Sequence, residues 1–275
     1  MKRALRGCVA ALTFLAAPLA AGDETDAAAP DAAPSEVEFS LGGSGFYGPI
    51  SGYVQVPLGG NPGTTSSRRP TLHELGIDDA AFWDVTGRVQ WRHFGVFAGY
   101  TGLDLSSVGT LSESLVSHGV AFAAGSPFKT SIQLDAGYLG AGWKFDFFEG
   151  RLEVSPRIAV TILNFDYSLE SPSARAARNY RDGAVQLGAD AAYQLGHGFA
   201  LEVDGGASLP IPHMPQLAAV TGRVAYKMFP EAPVHATVFL GCGERWIDFE
   251  DSQEVPNKIH VRSGPLLTGG LTISF

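Results

Sequence analysis

The sequence predicts an all-β fold, an antiparallel barrel of about ten strands. From residue 36 onward, most segments alternate apolar and polar residues with the period of two that β-strands produce. No run of 18 apolar residues occurs after the first two dozen positions, which argues against a helical membrane protein. Glycine is abundant at 34 of 275 residues and charged residues make up only 17%, a composition that fits strands with alternating faces.

The last eleven residues, Pro265–Phe275, are the strand that closes this predicted barrel. One face carries Leu267, Gly269, Leu271, Ile273 and Phe275, and the other carries mainly Thr, Ser and Gly. Ten or so residues are enough for a tilted strand to cross a bilayer. The alternative is an ordinary edge or barrel strand that happens to end the chain.

This strand resembles the closing strand of bacterial outer-membrane β-barrel proteins, which ends in a carboxy-terminal Phe, here Phe275. The resemblance implies that the protein resides in the cell outer membrane, with membrane lipid and the barrel-assembly machinery as its partners. The layout of the remaining chain broadly resembles small porin-like and surface-antigen barrels. No motif selects one subfamily, and the oligomeric state stays open.

The amino terminus is typical of a secretory signal peptide, residues 1–21. Lys2, Arg3 and Arg6 precede a short apolar run, and the small residues at 20 and 21 suit cleavage. Residues 22–35, rich in Ala, Pro and acids, predict a disordered periplasmic leader, which leaves 36–275 for the barrel. Cleavage removes three positive charges, so the net charge of −9 becomes −12 and argues against nucleic acid as a partner.

Ten strands follow from the alternating segments taken in order. They are Val37–Val56, Trp83–Arg92, Val96–Leu105, Lys129–Phe145, Arg151–Tyr167, Ala184–Leu195, Phe199–Leu209, Ala218–Met228, Val234–Phe249 and Pro265–Phe275. Pro49 divides the first segment into one strand or two, so eight and twelve strands are the alternatives. Long loops are expected at Leu58–Asp79, Ser106–Pro127, Leu169–Tyr180, Pro210–Pro215 and Glu250–Lys258. Short turns alternate with these loops, as in barrels whose short turns face the periplasm.

The alternation also assigns the two faces of the wall. Aromatic residues on the apolar face predict a membrane girdle of Trp83, Trp91, Tyr138, Tyr193 and Tyr226. Charged residues on the other face predict a lumen network of Arg88, Arg92, Asp135, Glu153, Arg157, Asp190, Glu202, Asp204 and Arg223; Asp84, Arg151, Lys227 and Arg245 share that face. Either these charges lock a filled interior, or they line a narrow aqueous pore.

An enzyme is the rival interpretation, because some outer-membrane barrels act on lipids. Such a barrel needs a Ser/His or Asp/His pair at its outer rim. His73, His213 and His260 are assigned to loops, and no strand is expected to place a Ser and a His together. The histidines are too scattered for a metal site, and no cofactor motif occurs. The sequence therefore favours a non-enzymatic barrel with a structural or surface role, or a narrow pore.

Overall fold

The computed structural model describes residues 37–55, 71–117, 120–250 and 258–275. The predicted signal peptide (1–21), the leader (22–35) and the greater parts of the loops at Leu58–Asp79 and Glu250–Lys258 lie outside these ranges. The described residues form thirteen strands: β1 Val37–Gln55, β2 Asp79–Trp91, β3 Phe94–Thr110, β4 Leu115–Ser117, β5 Val120–Phe122, β6 Pro127–Trp143, β7 Phe145–Phe147, β8 Leu152–Ser171, β9 Ala174–Gly196, β10 Phe199–Ser208, β11 Gln216–Met228, β12 His235–Glu250 and β13 Lys258–Ser274.

Ten of the described strands close into one antiparallel barrel. Their order around the ring is β6-β3-β2-β1-β13-β12-β11-β10-β9-β8, and β8 pairs with β6 to complete it. The short β7 also pairs with β8, while β4 and β5 form a separate hairpin. β1 continues through Pro49 as one strand. The prediction of a ten-stranded all-β barrel is therefore confirmed, and the alternatives of eight and twelve strands are wrong.

The chain end closes the ring against the first strand. The N–H of Phe275 donates to the carbonyl of Phe39 at 2.8 Å, and the N–H of Phe39 donates to the carbonyl of Phe275 at 3.3 Å. Closure gives the backbone of each barrel strand two neighbours, which a strand in lipid needs because no water can satisfy its polar groups.

The two longest connections lie at one end of the barrel. At the end that holds Phe275, the connections between barrel strands range from two residues, Arg92–His93 between β2 and β3, to eight, 144–151 between β6 and β8. The opposite end carries the connections 56–78, 111–126, 209–215 and 251–257, together with the two-residue turn 172–173 between β8 and β9. In barrels of this kind the short turns face the periplasm and the long connections face outside.

The outward residues form an apolar belt next to the short turns. On β8 the outward residues Ile158, Val160 and Ile162 are followed by Asn164 and Asp166. The same change occurs on other barrel strands, where the first outward polar residues are Asp79, Asp104, Asp135, Arg181, Gln216, Glu244 and Arg262. A belt about ten residues long per strand suits the hydrocarbon core of a bilayer. The protein is a transmembrane β-barrel of the outer-membrane type.

We call the level at which the outward residues change from apolar to polar the border. At the same level the inward residues change from polar to apolar. Inside the belt, the inward residues of β8 include Glu153, Ser155 and Arg157; beyond the border they are Leu163 and Phe165, each 1% exposed. The part of the barrel within the apolar belt is called the belt half, and the part beyond it the outer half. The outer half therefore has the polar exterior and apolar core of a soluble protein.

A bulge in β13 lies at the border between the two halves. The registers of β13 with β1 and with β12 both shift around Gly264. Gly264 has a φ of +147°, and a Cβ there would lie 2.6 Å from Cγ of Glu244, so the bulge requires glycine. The extra residue changes the parity of the strand: Leu266 faces inward on one side of the bulge, and Val261 faces inward on the other.

Two predicted loops are wrong, because the strands continue beyond the membrane. β3 runs to Thr110 and is followed by the β4–β5 hairpin, where a loop at Ser106–Pro127 was expected. The expected loop at Leu169–Tyr180 is strand except for the tight turn between Ser171 and Ala174. Outward polar residues made these segments resemble loops, although their inward residues, such as Leu169 at 0% exposure, are buried in the outer half.

Candidate functional site in the barrel interior

Arg157 is the centre of the charges inside the belt half. Its guanidinium contacts the Asp190 carboxylate, and its Nη2 lies 2.5 Å from Oδ2 of Asp204. The two aspartates face each other directly on β9 and β10, where like charges repel unless a cation lies between them. Arg157 therefore holds β8, β9 and β10 together through their inward side chains.

A second ion pair joins strands that are not neighbours. Arg245 on β12 reaches across β13 and β1 to Asp84 on β2. Its Nη2 donates to Oδ2 of Asp84 at 2.5 Å, and its Nη1 donates to Oδ1 at 3.3 Å. Its guanidinium also lies 4.1 Å from the ring centroid of Phe46 and 5.1 Å from that of Phe82. A two-pronged ion pair stacked on aromatic rings has a fixed geometry, so this contact braces the interior.

Further pairs complete a balanced set of charges. Nε of Arg223 lies 2.5 Å from Oε2 of Glu202, and Nζ of Lys144 lies 3.8 Å from Oε1 of Glu153 near the short turns. Among the described residues, Arg88 has no ion-pair partner, and its Nε is buried without a hydrogen bond. We call this set the charged layer: Asp84, Arg88, Lys144, Glu153, Arg157, Asp190, Glu202, Asp204, Arg223 and Arg245.

All members of the charged layer except Lys144 line a cavity of about 530 Å³. Its walls carry hydroxyl groups as well as charges, a lining that suits water. Toward the outer half the lining changes to Phe46, Phe82, Leu134 and Leu163. The polar space therefore ends at an apolar ceiling.

A turn from the β1–β2 connection forms part of that ceiling. Leu72 and Leu75 are both 0% exposed inside the outer half. Thr71 and Glu74 hold the turn reciprocally: the N–H of Glu74 donates to Oγ1 of Thr71 at 3.1 Å, and the N–H of Thr71 donates to Oε2 of Glu74 at 2.9 Å. The N–H of Leu72 also donates to the carbonyl of Gly52 at 3.0 Å, which anchors the turn to β1.

The β3–β6 connection and three stacked rings complete the closure. Leu111 and Phe122 are 4% and 2% exposed and belong to the same core. The ring of Tyr180 stacks between Phe165, at 4.9 Å, and Phe249, at 4.8 Å, and so joins β9 to β12 beyond the ends of β10 and β11. We call these residues the apolar seal: Leu72, Leu75, Leu111, Phe122, Phe165, Tyr180 and Phe249.

The sequence interpretation missed the apolar seal. The tetrapeptide Thr71-Leu-His-Glu74 is a capping-box signature, and Leu72 and Leu75 have the spacing that places two side chains on one face of a helical turn. Those signals predict an ordered turn with one apolar face. Nothing in the local sequence indicates that the turn folds into the barrel.

Three site predictions fail, two of them on the long strand β6. The hydroxyl of Tyr138 lies 3.0 Å from that of Thr86 in the interior, so Tyr138 does not face lipid. Asp135 is paired with Gly102, which is in turn paired with the outward Trp83, so Asp135 faces outward. The apolar face of β6 reverses at the border, and its residues beyond the border had set the face assigned to the whole strand.

Arg92 is the third failure. It lies exposed in the β2–β3 turn, with a φ of +54° and its guanidinium 5.6 Å from the ring centroid of Trp91, because the strand ends one residue earlier. Arg151, which was assigned to the same charged face, also lies exposed in a turn, because β8 begins only at Leu152. The structure brings together Arg88, Glu153, Arg157, Asp190, Glu202, Asp204 and Arg223 in the charged layer. Trp83, Trp91, Tyr193 and Tyr226 are exposed on the outward face, and their role as a girdle stays a prediction.

Two Asp/His pairs lie at the outer rim. Nδ1 of His260 is 3.2 Å from Oδ2 of Asp248, and the His260 ring stacks on Tyr53 at 5.7 Å. His260 belongs to β13, so its assignment to a loop is wrong. Nδ1 of His73 is 2.5 Å from Oδ1 of Asp78, and this hydrogen bond raises the pKa of the exposed His73 above its ordinary value.

In the described part of the chain, no group of three or more His, Cys, Asp or Glu side chains could hold a metal ion. Within the same residues, no helix is long and apolar enough to cross a membrane.

The fold is similar to several bacterial outer-membrane barrels. The attachment invasion locus protein Ail of Yersinia pestis has a TM-score of 0.37 and 7% identity, over 88% of this chain and 100% of that one. The Escherichia coli outer-membrane protease OmpT has a TM-score of 0.45 and 10% identity, over 88% and 98% of the two chains. Neisserial surface protein A has a TM-score of 0.33 and 10% identity, over 86% and 97%. No family model and no curated protein matches the sequence.

Proposed function

We propose that this protein is a closed barrel that serves as a surface platform for its outer half rather than as a channel. The observation that carries the proposal is the burial of Leu72 and Leu75, which reach the interior from a connection instead of from the wall. Ions crossing the barrel would have to pass this dry layer, where a charge loses its water without gaining a partner. The ion pairs of the charged layer also occupy space beneath it.

Planar-bilayer recording of the refolded protein tests the proposal. The wild type is expected to give no stable conductance steps. The double variant Leu72→Ser/Leu75→Ser is expected to conduct, because it places two hydroxyl groups in the seal and removes much of its volume. His73→Ser is the matched control, since His73 lies on the same turn with an exposed side chain. Steady wild-type conductance, unchanged in the double variant, would overturn the closed barrel.

A narrow pore is the alternative function, and it replaces the closed barrel if the wild type conducts. In that case Arg157→Gln is expected to shift the ion preference toward cations, because Arg157 lines the cavity. An Arg92→Gln control changes the same charge outside the interior. No shift from Arg157→Gln would show that ions take a path away from the charged layer.

The Asp/His pairs at the rim support a second candidate, a lipid-directed enzyme. Asp248 orients His260 as an acid orients a general base, and both residues are exposed near the border, where lipid headgroups lie. Mass spectrometry of lipids incubated with the protein in vesicles tests this candidate. A product that forms with the wild type and disappears with His260→Ala would favour the enzyme, and an unchanged lipid profile would remove it.

The assembly machinery is proposed as a partner through the closing strand. The mutual hydrogen bonds of Phe275 and Phe39 complete the barrel, so the end of the chain is needed to close the sheet. Deletion of Phe275 is expected to reduce the heat-modifiable protein found in the outer membrane. Normal assembly of the deletion variant would contradict this role.

A further inference from the structure

Strand β9 has an open edge in the outer half. Its pairing with β10 ends at Gln186, whereas its pairing with β8 continues to Ala174. β10 and β11 extend less far into the outer half than β9, since β10 ends at Ser208 and β11 begins at Gln216. Among the described residues, the outer segment of β9 is therefore hydrogen-bonded to a strand on one side only, and β5 of the β4–β5 hairpin packs close to β9 without pairing with it.

The unpaired backbone groups of this edge can be identified from the register. The N–H of Leu209 donates to the carbonyl of Val185 at 2.8 Å, so the odd-numbered residues of β9 point their N–H and C=O groups toward this edge. At Gly183 the edge is capped, because the N–H donates to Oδ1 of Asp182 at 2.6 Å. Four exposed residues beyond it present groups that no described residue binds: Arg175, Ala177, Asn179 and Arg181.

The edge is also basic on an acidic protein. Arg175, Arg178 and Arg181 lie within seven residues, whereas the whole chain has a net charge of −9. Nε of Arg175 lies 3.0 Å from Oε1 of Glu170. In the described part of the chain, Arg178 and Arg181 have no carboxylate partner. Arg178 has the inward parity of Tyr180, whereas Arg175 and Arg181 lie on the outward face of β9, and the Arg175–Glu170 pair is exposed to water. The outward face beside the unpaired edge therefore carries two arginines, Arg175 and Arg181.

We infer that this edge binds an extended acidic peptide segment of another protein by strand addition. Main-chain hydrogen bonds to the four open residues would supply the pairing, and acidic side chains on the outward face would meet Arg175 and Arg181. Tyr180, which lies in the interior between the rings of Phe165 and Phe249, holds this part of β9 in place, so the edge is ordered before a partner arrives. The inference deepens the proposed surface role and rests on it.

The test uses the full protein refolded in detergent and a defined probe. The probe is a fluorescein-labelled nine-residue peptide that alternates Glu and Val, compared with one that alternates Lys and Val. The wild type is expected to bind the Glu peptide at least about tenfold more tightly than the Lys peptide, with weaker binding at high salt. The double variant Arg175→Gln/Arg181→Gln is expected to lose about tenfold in affinity, because all Glu side chains of the probe lie on one face of the added strand. Lys129→Gln, an exposed charge change on β6, is the control that leaves binding unchanged.

The substitution Ala177→Pro separates strand addition from simple charge attraction. It removes an N–H that points to the open edge, so the pairing with β8 stays intact and only peptide binding is lost. If this variant fails to fold, amide hydrogen exchange of the wild type decides: the N–H groups of Ala177 and Asn179 must become protected when peptide is added. Unchanged exchange, or Ala177→Pro binding like the wild type, overturns the inference.

Membrane headgroups are the other class of anion that the arginines could meet. If the arginine variant loses binding to phosphatidylglycerol vesicles while the Glu peptide binds neither wild type nor variant, the arginines are lipid contacts and the inference fails. These measurements do not depend on conductance. A barrel that neither conducts nor binds the peptide would refute peptide binding at the β9 edge and leave the proposed function intact. A barrel that conducts and binds the peptide would refute the closed barrel and leave the inference about the edge intact.

Discussion

On strand β9, Leu187 in the belt half faces lipid and Asp190 faces the interior, whereas in the outer half Arg181 faces water and Tyr180 faces the interior. One strand therefore buries polar side chains along part of its length and apolar side chains along the rest. The alternation itself is the same throughout, because neighbouring residues of a strand always point to opposite faces.

The difference shows that the surrounding medium, and not the strand, decides which face carries apolar residues. In the belt half the lipid accepts apolar side chains, so the interior can hold the charged layer. In the outer half water surrounds the wall, and stability requires an apolar core. The two halves should therefore respond in opposite ways to the same kind of substitution.

The largest effect is expected in the apolar core of the outer half. Phe165→Ala should lower the free energy of unfolding by about 3–5 kcal/mol, because it leaves a cavity in a packed core. Val108→Ala is the control on the same half, since Val108 is 77% exposed. Urea unfolding in detergent measures both. Equal, small effects would mean that the outer half has no core that contributes to stability.

A charge placed on the outward face should separate the two halves directly. Leu187→Arg is expected to cost about 2–4 kcal/mol, because it exposes a guanidinium to the bilayer interior. Ala177→Arg lies on the outward face of the same strand beyond the border and should change stability by less than about 0.5 kcal/mol. Refolding into lipid vesicles gives both values. If Ala177→Arg were as costly as Leu187→Arg, the border would lie further out than the outward residues indicate.

In the charged layer, the removal of a charge, rather than its addition, is expected to lower stability. Arg157→Ala is expected to cost about 2 kcal/mol, because Asp190 and Asp204 then face each other without a cation. Asp204→Ala in the same chain should restore at least half of the loss. Thermal unfolding of the two variants in detergent tests this coupling, and a double variant less stable than Arg157→Ala would contradict it.

The smallest effect concerns the exposed pair of His73 and Asp78. Both residues belong to the β1–β2 connection, whose turn contributes Leu72 and Leu75 to the apolar seal; we call it the seal turn. The pKa of His73 is raised, so this pair contributes most below the ordinary histidine pKa and is lost as the pH rises through the raised value. Asp78→Asn should return the midpoint of the His73 titration, measured by NMR of the ring protons, toward its ordinary value. An unchanged midpoint would show that the two side chains are not paired in solution.

Sequence patterning predicted the belt half well, because there the apolar residues face outward and the polar residues face inward over about ten residues of each strand. The inward positions of Arg157, Asp190 and Asp204 follow from alternation alone. β6 shows where the rule fails: Ile132 and Leu134 were read as lipid-facing, and the same assignment then misplaced Tyr138. Alternation gives the face of a residue only relative to its neighbours, so the position of the border is needed to orient it.

The partners within the interior could not be read from the sequence for a different reason. Arg245 and Asp84 are 161 residues apart, and they meet because strand order and shear bring β12 and β2 to the same side of the cavity. The seal turn is similar, since its local signals predict an ordered turn but not its insertion into the barrel. Such contacts are set by closure of the whole sheet.

The bulge at Gly264 limits how the length of this chain can change. Loss of one residue there would turn Ile259 and Val261 of β13 toward water, and His260 and Arg262 toward the core. The loss of two residues would keep every orientation and would only lower the wall. Insertions and deletions in the barrel strands are thus expected to be tolerated in even numbers, with the single extra residue at Gly264 kept in every working variant.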